Sequence, residues 1–490
     1  MAEGNFIQLE RQVNKCTKGE LEEWAGNLYE FIRSREEICT RHMVDFFIDD
    51  VWNKLPQKWR DSLLPQPLPD ICKLAVQCTR TSVAQDSLEE FLLQAKSLCL
   101  AKQCRERSCS DSEHKRLASF AMTSKKSYEV QNMSCTITDM CRVNGIDQVL
   151  DFGSGKGYLS EYLSMTSGLQ VVGIDAVVSN AEGAHRRNSK IQKIFKVAQN
   201  INQEDCVHDN TTTGVISNDV SAPSNPPKGA KQNYLPITKC VHVDNVDILL
   251  TEVEQLSGGL FMSAKDSMVI GLHTCGDLCS NLLRLFCSSD RIRGMCCVGC
   301  CYHHITEAGD TASTAFDTVG FPLSSYLQKH CCKLGRNARM LACQSLERQS
   351  TNIKQFEESM KSIFYRTVLQ VILYHKFKVH NLRDCSIGKV FQKDQNFVEY
   401  TRQALRKLSL PDEQLTDSEI NSYLSQYEND KKHLVAFHQL RAVMAPCIES
   451  LIALDRLMYL KEQPAVRTAW VECLFDPIKS PRCLTLLALK

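Results

Sequence analysis

Short apolar segments that end at glycine or acidic residues recur through the middle of the chain. They span residues 149–152, 169–175, 237–243, 267–272 and 294–298. Runs of this length with turn residues on either side are typical of strands that are buried on both faces of a parallel sheet. Segments with helical spacing separate several of these runs. This alternation predicts an α/β domain with a mainly parallel sheet.

The regions on either side of these strands have a helical pattern instead. Apolar residues near the start of the chain, as around Leu21, recur at helical spacing. The later part of the chain contains the capping box Thr416-Asp-Ser-Glu419, which predicts the start of a helix. It also contains an amphipathic segment over 434–460, in which Pro446 predicts a kink or an interruption.

These patterns divide the chain into four predicted segments. We expect a helical amino-terminal domain over 1–115, a sheet domain over 116–310, a helical insertion over 311–460 and a terminal β-hairpin over 461–490. Within the sheet domain, residues 200–236 are rich in Asn, Thr, Ser and Pro and contain few aromatic residues. Such a composition buries too little apolar surface to order itself, and we predict a disordered insertion there.

Charge is almost balanced, with 58 lysine and arginine residues against 57 aspartate and glutamate residues. Because no global field would attract a nucleic acid, an RNA or DNA site requires a local basic patch.

The sequence begins MAEGNFIQLE, which has neither the basic nor the apolar part of a secretory signal. No apolar run reaches the ~18 residues of a membrane-spanning helix. We therefore expect an intracellular protein of the cytoplasm or nucleus, not secreted, with most of its 25 cysteines reduced. The sequence does not predict an oligomeric state.

Three glycines at alternate positions follow the first predicted strand, in the sequence VLDFGSGKGYL. The strand ends with Asp151, and Gly153, Gly155 and Gly157 come next, where the chain must turn sharply under a ligand. The second strand ends in Asp175, 24 positions after Asp151, a spacing that suits hydrogen bonds to ribose hydroxyls. We call residues 151–159 the glycine corner, and we predict that it binds a nucleotide-like ligand.

Other interpretations of the glycine corner fit less well. A dinucleotide fingerprint would have its third glycine where Tyr158 stands. A P-loop would have a glycine five residues before the Gly155-Lys156 pair and a serine or threonine after it, but Leu150 and Gly157 occupy those positions. A glycine-rich turn that binds nothing is a further alternative, and the acid at the end of the second strand disfavours it.

Polar clusters follow the fourth and fifth predicted strands. Because ligands of open α/β sheets lie outside the carboxyl ends of the strands, both clusters are predicted at the same edge as the glycine corner. Imidazole titrates near neutral pH and suits removal of a proton from an acceptor. The candidates for this acid–base role are His273, Asp277, His303 and His304. The candidates for lining an acceptor pocket are Cys275, Cys300 and Cys301.

A metal site is the alternative interpretation of the second cluster. The thiols and imidazoles between positions 296 and 304 include one C-x2-C spacing, Cys297 to Cys300. A structural zinc site generally needs a second ligand pair from a separate segment, and adjacent cysteines in a strand point to opposite faces. We therefore predict that this cluster belongs to the acceptor pocket and holds no metal.

Two adjacent lysines, Lys125 and Lys126, lie shortly before the first strand in the sequence MTSKKSYEV, together with Glu129. Such a cluster commonly marks a solvated helix start. Its position upstream of the glycine corner also allows contact with a substrate or cofactor. Both interpretations stay open, and the two lysines are candidate substrate-binding residues.

The D-x-G-x-G-x-G sequence of the glycine corner resembles motif I of class I S-adenosyl-L-methionine (SAM) methyltransferases. That likeness implies that Asp151 and the three glycines lie along SAM and that Asp175 holds its ribose. Further stretches extend it, namely MTSKKSYEV, GLHTCGDL, VGCCYHHITE, ALDRLMYL and FDPIKSPRCLTLLALK. With them the chain resembles the methyltransferase-like protein 25 family, whose members are also labelled as containing a ribosomal RNA adenine dimethylase domain. The resemblance implies a Rossmann-like, seven-stranded class I fold that is closed by the terminal hairpin.

The acceptor implied by this resemblance is RNA, either ribosomal or transfer RNA. Two motifs resemble the H-x-C-G and C-C-H-H elements of the tRNA 2′-O-methyltransferase family, although Tyr302 interrupts the second. Enzymes that methylate exocyclic base nitrogens usually carry an Asn or Asp, Pro-Pro, aromatic motif after strand four, and this chain has His273-Thr-Cys-Gly-Asp277 there. A methyltransferase that acts on protein and an inactive SAM-binding scaffold are the alternative functions.

Overall fold

The computed structural model describes residues 13–74, 87–104, 122–204, 233–240, 246–308, 319–346, 353–379, 390–392 and 394–490. Most of the insertion predicted over 200–236 lies outside these residues. Within the described ranges, none of the helices combines the length and the apolar composition that a membrane crossing requires.

A seven-stranded sheet forms the centre of the fold. Its strands are β1 Gln148–Phe152, β2 Gln170–Asp175, β3 Tyr234–Thr238, β4 Ser267–Cys275, β5 Ile292–Cys300, β6 Thr468–Cys473 and β7 Leu484–Leu489. The spatial order is β3-β2-β1-β4-β5-β7-β6. Neighbouring strands among β1 to β5 are parallel, whereas β7 runs antiparallel to both β5 and β6. The predicted class I methyltransferase fold, with a terminal hairpin closing the sheet, is confirmed.

Helices precede, connect and follow these strands. They are α1 Lys18–Arg33, α2 Glu36–Thr40, α3 Val51–Lys54, α4 Gln57–Leu63, α5 Leu68–Ile71, α6 Leu88–Leu98, α7 Ser124–Asn144, α8 Tyr158–Thr166, α9 Val178–Glu204, α10 Val246–Leu256, α11 Asp277–Ser288, α12 Ser325–Lys329, α13 Gly335–Leu341, α14 Ile353–Phe377, α15 Phe397–Lys407, α16 Asp417–Tyr427 and α17 Lys431–Lys461. The capping box of Thr416 and Glu419 opens α16 as predicted. The predicted amphipathic helix is α17, which continues through Pro446 without interruption.

The described residues belong to two compact units. One comprises the described residues within 1–25, 101–333 and 452–490, and it contains the sheet. The other comprises residues 26–100 and 334–451, and it is helical. The core of the sheet unit includes Val149, Leu163 and Ile270, which are buried between strands and helices. Parallel strands that carry helices on their faces must be apolar on both sides, and this accounts for the near-continuous apolar runs of β1 and β4.

Several strand boundaries differ from the predicted ones. The third strand begins at Tyr234, so residues 234–236 belong to the sheet and not to a disordered insertion. Pro236 lies within it, and β3 is an edge strand, where a proline without an N–H group is tolerated. The strands β4 and β5 continue to Cys275 and Cys300, two to three residues beyond the predicted ends.

The extension of β4 has a local cause. The β4 and β5 register shifts between Gly271 and Thr274, and pairing then resumes with Thr274 opposite Gly299 and Cys275 opposite Cys300. Such irregularities re-aim side chains and are common beside functional sites. Here the irregularity includes His273, so a residue predicted to follow the strand is in fact held by it.

Candidate functional site

A cavity of about 920 Å³ lies at the carboxyl ends of β1, β2 and β4. Its volume is within the range of about 300–1,000 Å³ that is usual for ligand sites. The predicted site residues that line it are Lys126, Asp151, Gly153, Gly155, Asp175, His273, Cys275 and Asp277. The candidates outside this lining, which is defined by described residues alone, are Lys125, Gly157, Cys300, Cys301, His303 and His304.

The three glycines of the glycine corner all have positive φ angles, but their surroundings differ. A Cβ on Gly153 would lie 3.0 Å from the Leu278 side chain. A Cβ on Gly155 would have no heavy atom within 4 Å, because this residue faces the cavity. A Cβ on Gly157 would meet the ring of Tyr234, with the ring carbon Cζ at 2.8 Å. Gly155 is therefore the glycine whose missing side chain leaves room for a ligand.

Asp175 at the end of β2 is tied to the glycine corner. One carboxylate oxygen accepts a hydrogen bond from the Gly155 N–H at 2.9 Å. The other accepts from the Val177 N–H at 2.9 Å and from the Asn180 amide at 3.1 Å. A carboxylate offers about four acceptor positions, so Asp175 retains capacity for a further donor on the cavity side.

Asp151 at the end of β1 is a buried acid, with 2% of its surface exposed. Its carboxylate accepts a hydrogen bond from the Ser160 hydroxyl at 2.5 Å. Burial raises the pKa of Asp151 to about 7, against the opposing effects of Ser160 and of the positive charge of Lys126. The strand end therefore holds a carboxyl group that titrates near neutral pH and also borders the cavity.

Asp151→Asn is expected to gain stability relative to the wild type as the pH rises. Because the pKa is raised from 3.8 to about 7, the native state keeps a proton that the unfolded state has released. The stability of the wild type therefore falls as the pH rises from about 4 to about 7, and the full loss is present above pH 7. Asparagine lacks this charge, so the difference in the free energy of unfolding should grow by on the order of 2 kcal/mol between about pH 5 and pH 8.

Urea denaturation at several pH values measures this difference. Asp139→Asn is the control, because Asp139 is an exposed acid that pairs with Arg142 on the surface of α7. A difference for Asp151→Asn that stays constant with pH contradicts the raised pKa.

Glu129 on α7 is the buried centre of a charged network beside the cavity, with 1% of its surface exposed. One carboxylate oxygen lies 3.3 Å from His273 Nε2 and 3.4 Å from Lys126 Nζ. The other accepts a hydrogen bond from the Ser480 hydroxyl at 2.7 Å and lies 3.5 Å from Lys125 Nζ. Burial alone would raise the pKa of Glu129, but the hydrogen bonds with His273 and Ser480 lower it to about 2.

The structure shows which group the two lysines contact, a question that the sequence left open. Lys125 and Lys126 lie in the first turn of α7, whose N-cap Thr123 accepts a hydrogen bond from the Lys126 N–H. Both ammonium groups pair with Glu129, one turn later on the same helix. Sequence reasoning noted Glu129 beside the lysines but assigned it no role. Spacings of three and four residues on a helix predict that Glu129 pairs with the two lysines. No local pattern predicts its contacts with Ser480 and His273.

Three thiols form a cluster where β4 and β5 end. We call Cys275, Cys300 and Cys301 the thiol cluster, and their Sγ atoms lie within 4.8 Å of one another. Hydrogen bonding with Cys300 lowers the pKa of Cys275 to about 6, against the effect of partial burial, and Cys301, His273 and His304 act in the same direction. The same hydrogen bond, together with burial, raises the pKa of Cys300. These contacts favour the thiolate form of Cys275, the member of the cluster that lines the cavity.

The remaining acid–base candidates make structural contacts. Asp277 begins α11, and its carboxylate accepts a hydrogen bond from the Thr306 N–H at 2.9 Å. His304 packs on Gly276, where a Cβ would lie 2.8 Å from the Cβ of His304. The His303 ring lies against that of His304, with 4.0 Å between the ring centroids. Of the four acid–base candidates, His273 and Asp277 are the two that line the cavity, and His273 has a buried carboxylate partner.

Known proteins are similar in sequence to this chain. A family model described as a methyltransferase domain matches residues 125–308, a segment that includes every candidate site residue. A human protein named "Probable methyltransferase-like protein 25" is 31% identical over 586 aligned positions, which cover 94% of this chain and 96% of the human protein. A mouse protein of the same name is 30% identical over 578 positions, which cover 94% of this chain and 95% of the mouse protein. No solved structure matches the chain significantly.

Proposed function

This chain belongs to the methyltransferase-like protein 25 family, and from that premise we propose that it transfers a methyl group from SAM to a nucleophilic acceptor. The observation that carries the proposal is the pairing of Asp175 with Gly155 at the edge of the 920 Å³ cavity. A cavity-facing glycine beside an acid at the end of the second strand suits a ligand that has both a ribose and a compact charged end.

The residues of the cavity fit SAM. Asp175 retains an acceptor position for a ribose hydroxyl, and Gly155 leaves space where any other residue would place a side chain. The N–H groups of Gly153, Ser154, Gly155 and Gly157 already donate to protein oxygens, and the polar amino-acid end of the ligand would lie in the open space at Gly155. SAM would supply an electrophilic methyl group on a sulfonium, which the acceptor would attack in line at carbon with S-adenosylhomocysteine as the leaving group.

His273 is the group that we propose removes the acceptor's proton. It lines the cavity at the end of β4, and the hydrogen bond between its Nε2 and Glu129 holds the ring in place. The ionised Glu129 would also stabilise the imidazolium that forms when His273 takes a proton. Glu129 contacts no ligand position and acts through His273, so it is a positioning residue.

RNA is the acceptor class that we propose, with ribosomal and transfer RNA as the candidates, and a protein side chain is the second candidate. Lys126, Lys156 and Lys239 line the cavity and supply the local positive charge that an anionic acceptor requires. Two of them are partly neutralised, since Lys126 pairs with Glu129 and Lys239 pairs with Glu252. A screen with tritiated SAM separates the two classes, because nuclease digestion releases label from RNA and protease digestion releases it from protein.

Calorimetry with SAM and S-adenosylhomocysteine tests the cofactor proposal directly. The wild type is expected to bind both ligands, and Asp175→Ala is expected to bind each about 10–100-fold more weakly. This range corresponds to the loss of one charge-assisted hydrogen bond of about 1.5–3 kcal/mol. Asp139→Ala, which removes an exposed acid of α7, is the matched control and should bind as the wild type does.

A folded wild-type protein that binds neither ligand would contradict the proposal and favour a scaffold function. Thermal melting of the same samples distinguishes that outcome from a failure to fold. Equal affinity of the wild type and Asp175→Ala would leave binding intact but would contradict the ribose-binding role of Asp175.

A further inference from the structure

We propose that the thiol cluster, Cys275, Cys300 and Cys301, is a binding site for a thiophilic divalent cation, with Zn²⁺ as the ion taken in a cell. Thiolates are the ligands that zinc prefers, and three protein ligands with a water or substrate in the fourth position form a recurrent zinc geometry. The proposal does not depend on SAM binding.

The sulfur positions carry this inference. The three Sγ atoms lie within 4.8 Å of one another, and those of Cys275 and Cys300 are 3.1 Å apart. Zn–S bonds of about 2.3 Å in a tetrahedral site place sulfur atoms about 3.8 Å apart. Small side-chain rotations would therefore bring all three sulfurs to a common ion.

The backbone holds the three cysteines together from two separate segments of the sheet. Cys275 and Cys300 are paired residues at the ends of β4 and β5. The Gly276 N–H donates a hydrogen bond to the Cys300 carbonyl at 3.1 Å, so the two strand ends stay aligned where the chain leaves the sheet. The second segment that a zinc site needs, which sequence reasoning could not find, is therefore β4.

The conformation of Cys301 supports the same assignment. Its φ and ψ angles are 50° and 48°, in the left-handed region that non-glycine residues seldom adopt. Such strained residues concentrate at functional sites. Cys296 and Cys297, which the sequence offered as ligands, are fully buried within β5 instead. The proposed site thus differs in composition from the metal site that was the alternative interpretation of the sequence, and it departs from our prediction that the cluster holds no metal.

The ion would lie beside the cavity, because Cys275 belongs both to the thiol cluster and to the cavity lining. His273 is two residues away on the same strand. A bound cation would fix the end of β4 and thereby the position of this histidine. We therefore place the metal at the acceptor side of the site.

Metal analysis of the full-length protein, purified under reducing conditions, tests the proposal. The wild type is expected to carry or take up about one equivalent of Zn²⁺, measured by elemental analysis after titration and desalting. Cys275→Ser and Cys300→Ser are expected to lose at least about 90% of this metal. Cys331→Ser is the matched control, because Cys331 is an exposed thiol outside the thiol cluster, and it should keep the full equivalent.

Titration with Co²⁺ gives a second readout that does not depend on activity. Bound Co²⁺ reports thiolate ligands through a sulfur-to-cobalt charge-transfer band, which should be present in the wild type and in Cys331→Ser and absent in Cys275→Ser. Circular dichroism melting shows whether each variant is folded. Cys301→Ser replaces a partly exposed thiol and provides a further test if Cys300→Ser does not fold.

Either of two results for the metal content would overturn the proposal. One is a folded, reduced wild type that retains no metal above the level of a chelator-treated blank. The other is equal metal content in the wild type and in a folded Cys275→Ser variant. A Cys275–Cys300 disulfide that forms in the wild type even with Zn²⁺ present would count against the metal site in the same way, because both thiols would be consumed.

Discussion

Replacement of His273 by alanine is expected to lower the rate of methyl transfer by about 10²–10⁴-fold, the range over which a positioned general base acts. The ring lines the cavity, and its Nε2 lies 3.3 Å from the Glu129 carboxylate. Alanine removes the group that we propose takes the acceptor's proton. SAM affinity should change by less than about threefold, because the ribose and amino-acid contacts that we propose belong to β1 and β2.

Single-turnover transfer from tritiated SAM measures this rate, with the RNA or protein fraction that the wild type labels as the acceptor. Calorimetry on the same preparations measures SAM affinity separately. His330→Ala is the matched control, because His330 is an exposed histidine in the sheet unit whose Nδ1 lies 2.8 Å from the Tyr326 carbonyl. A His273→Ala variant that transfers methyl groups at the wild-type rate would contradict the base assignment.

Glu129→Gln separates the positioning role from the catalytic one. Glutamine keeps the shape of the side chain but carries no charge to stabilise an imidazolium. We expect a smaller loss of rate than for His273→Ala, and we expect Glu129→Asp, which keeps the charge, to recover part of the loss. Equal rates in the two Glu129 variants would mean that Glu129 only supports the fold, through its contacts with Ser480 and the lysines.

Much of the sheet can be predicted from local signals. Buried parallel strands are apolar along their whole length, so β1, β2, β4 and β5 stand out as short runs bounded by turn residues. Glycines at alternate positions predict a sharp turn, and all three have positive φ angles. The edge strand β3 is harder to find, because it contains Pro236 and follows a long polar segment.

The surroundings of His273 and the thiol cluster depend on contacts that no local sequence pattern predicts. Glu129 meets His273 across 144 positions and Ser480 across 351 positions. The thiol cluster forms because a register shift in β4 precedes the pairing of Cys275 with Cys300. Sequence spacing therefore locates the polar clusters, whereas the sheet register decides which of their members meet.

The glycine motif can be recognised in the sequence, but the sequence does not show why each position must be glycine. Sequence reasoning assigned all three to the cofactor. In the structure Gly155 faces the cavity, whereas Gly157 lies against the ring of Tyr234, which is 2% exposed. Gly155 is thus required by the space that a ligand would take, and Gly157 is required by packing against β3.

This difference predicts that Gly157→Ala destabilises the protein much more than Gly155→Ala. Both residues have positive φ angles, 71° and 58°, so each alanine carries a backbone cost of about 1–2 kcal/mol. In Gly157→Ala the new Cβ also overlaps the buried Tyr234 ring, which adds about 1–3 kcal/mol of overpacking. We therefore expect total losses of about 2–5 kcal/mol for Gly157→Ala and about 1–2 kcal/mol for Gly155→Ala.

Urea denaturation of both variants measures these losses, and Gly155→Ala is the internal control because it shares the backbone cost without the overlap. Adding Tyr234→Phe to Gly157→Ala removes the hydroxyl that lies nearest to the new methyl group and should restore part of the lost stability. SAM binding should show the reverse order, since Gly155→Ala places its methyl group in the cavity and Gly157→Ala does not. Equal destabilisation by the two alanines, with no recovery in the double variant, would mean that Tyr234 yields to the methyl group and that packing against β3 does not require Gly157.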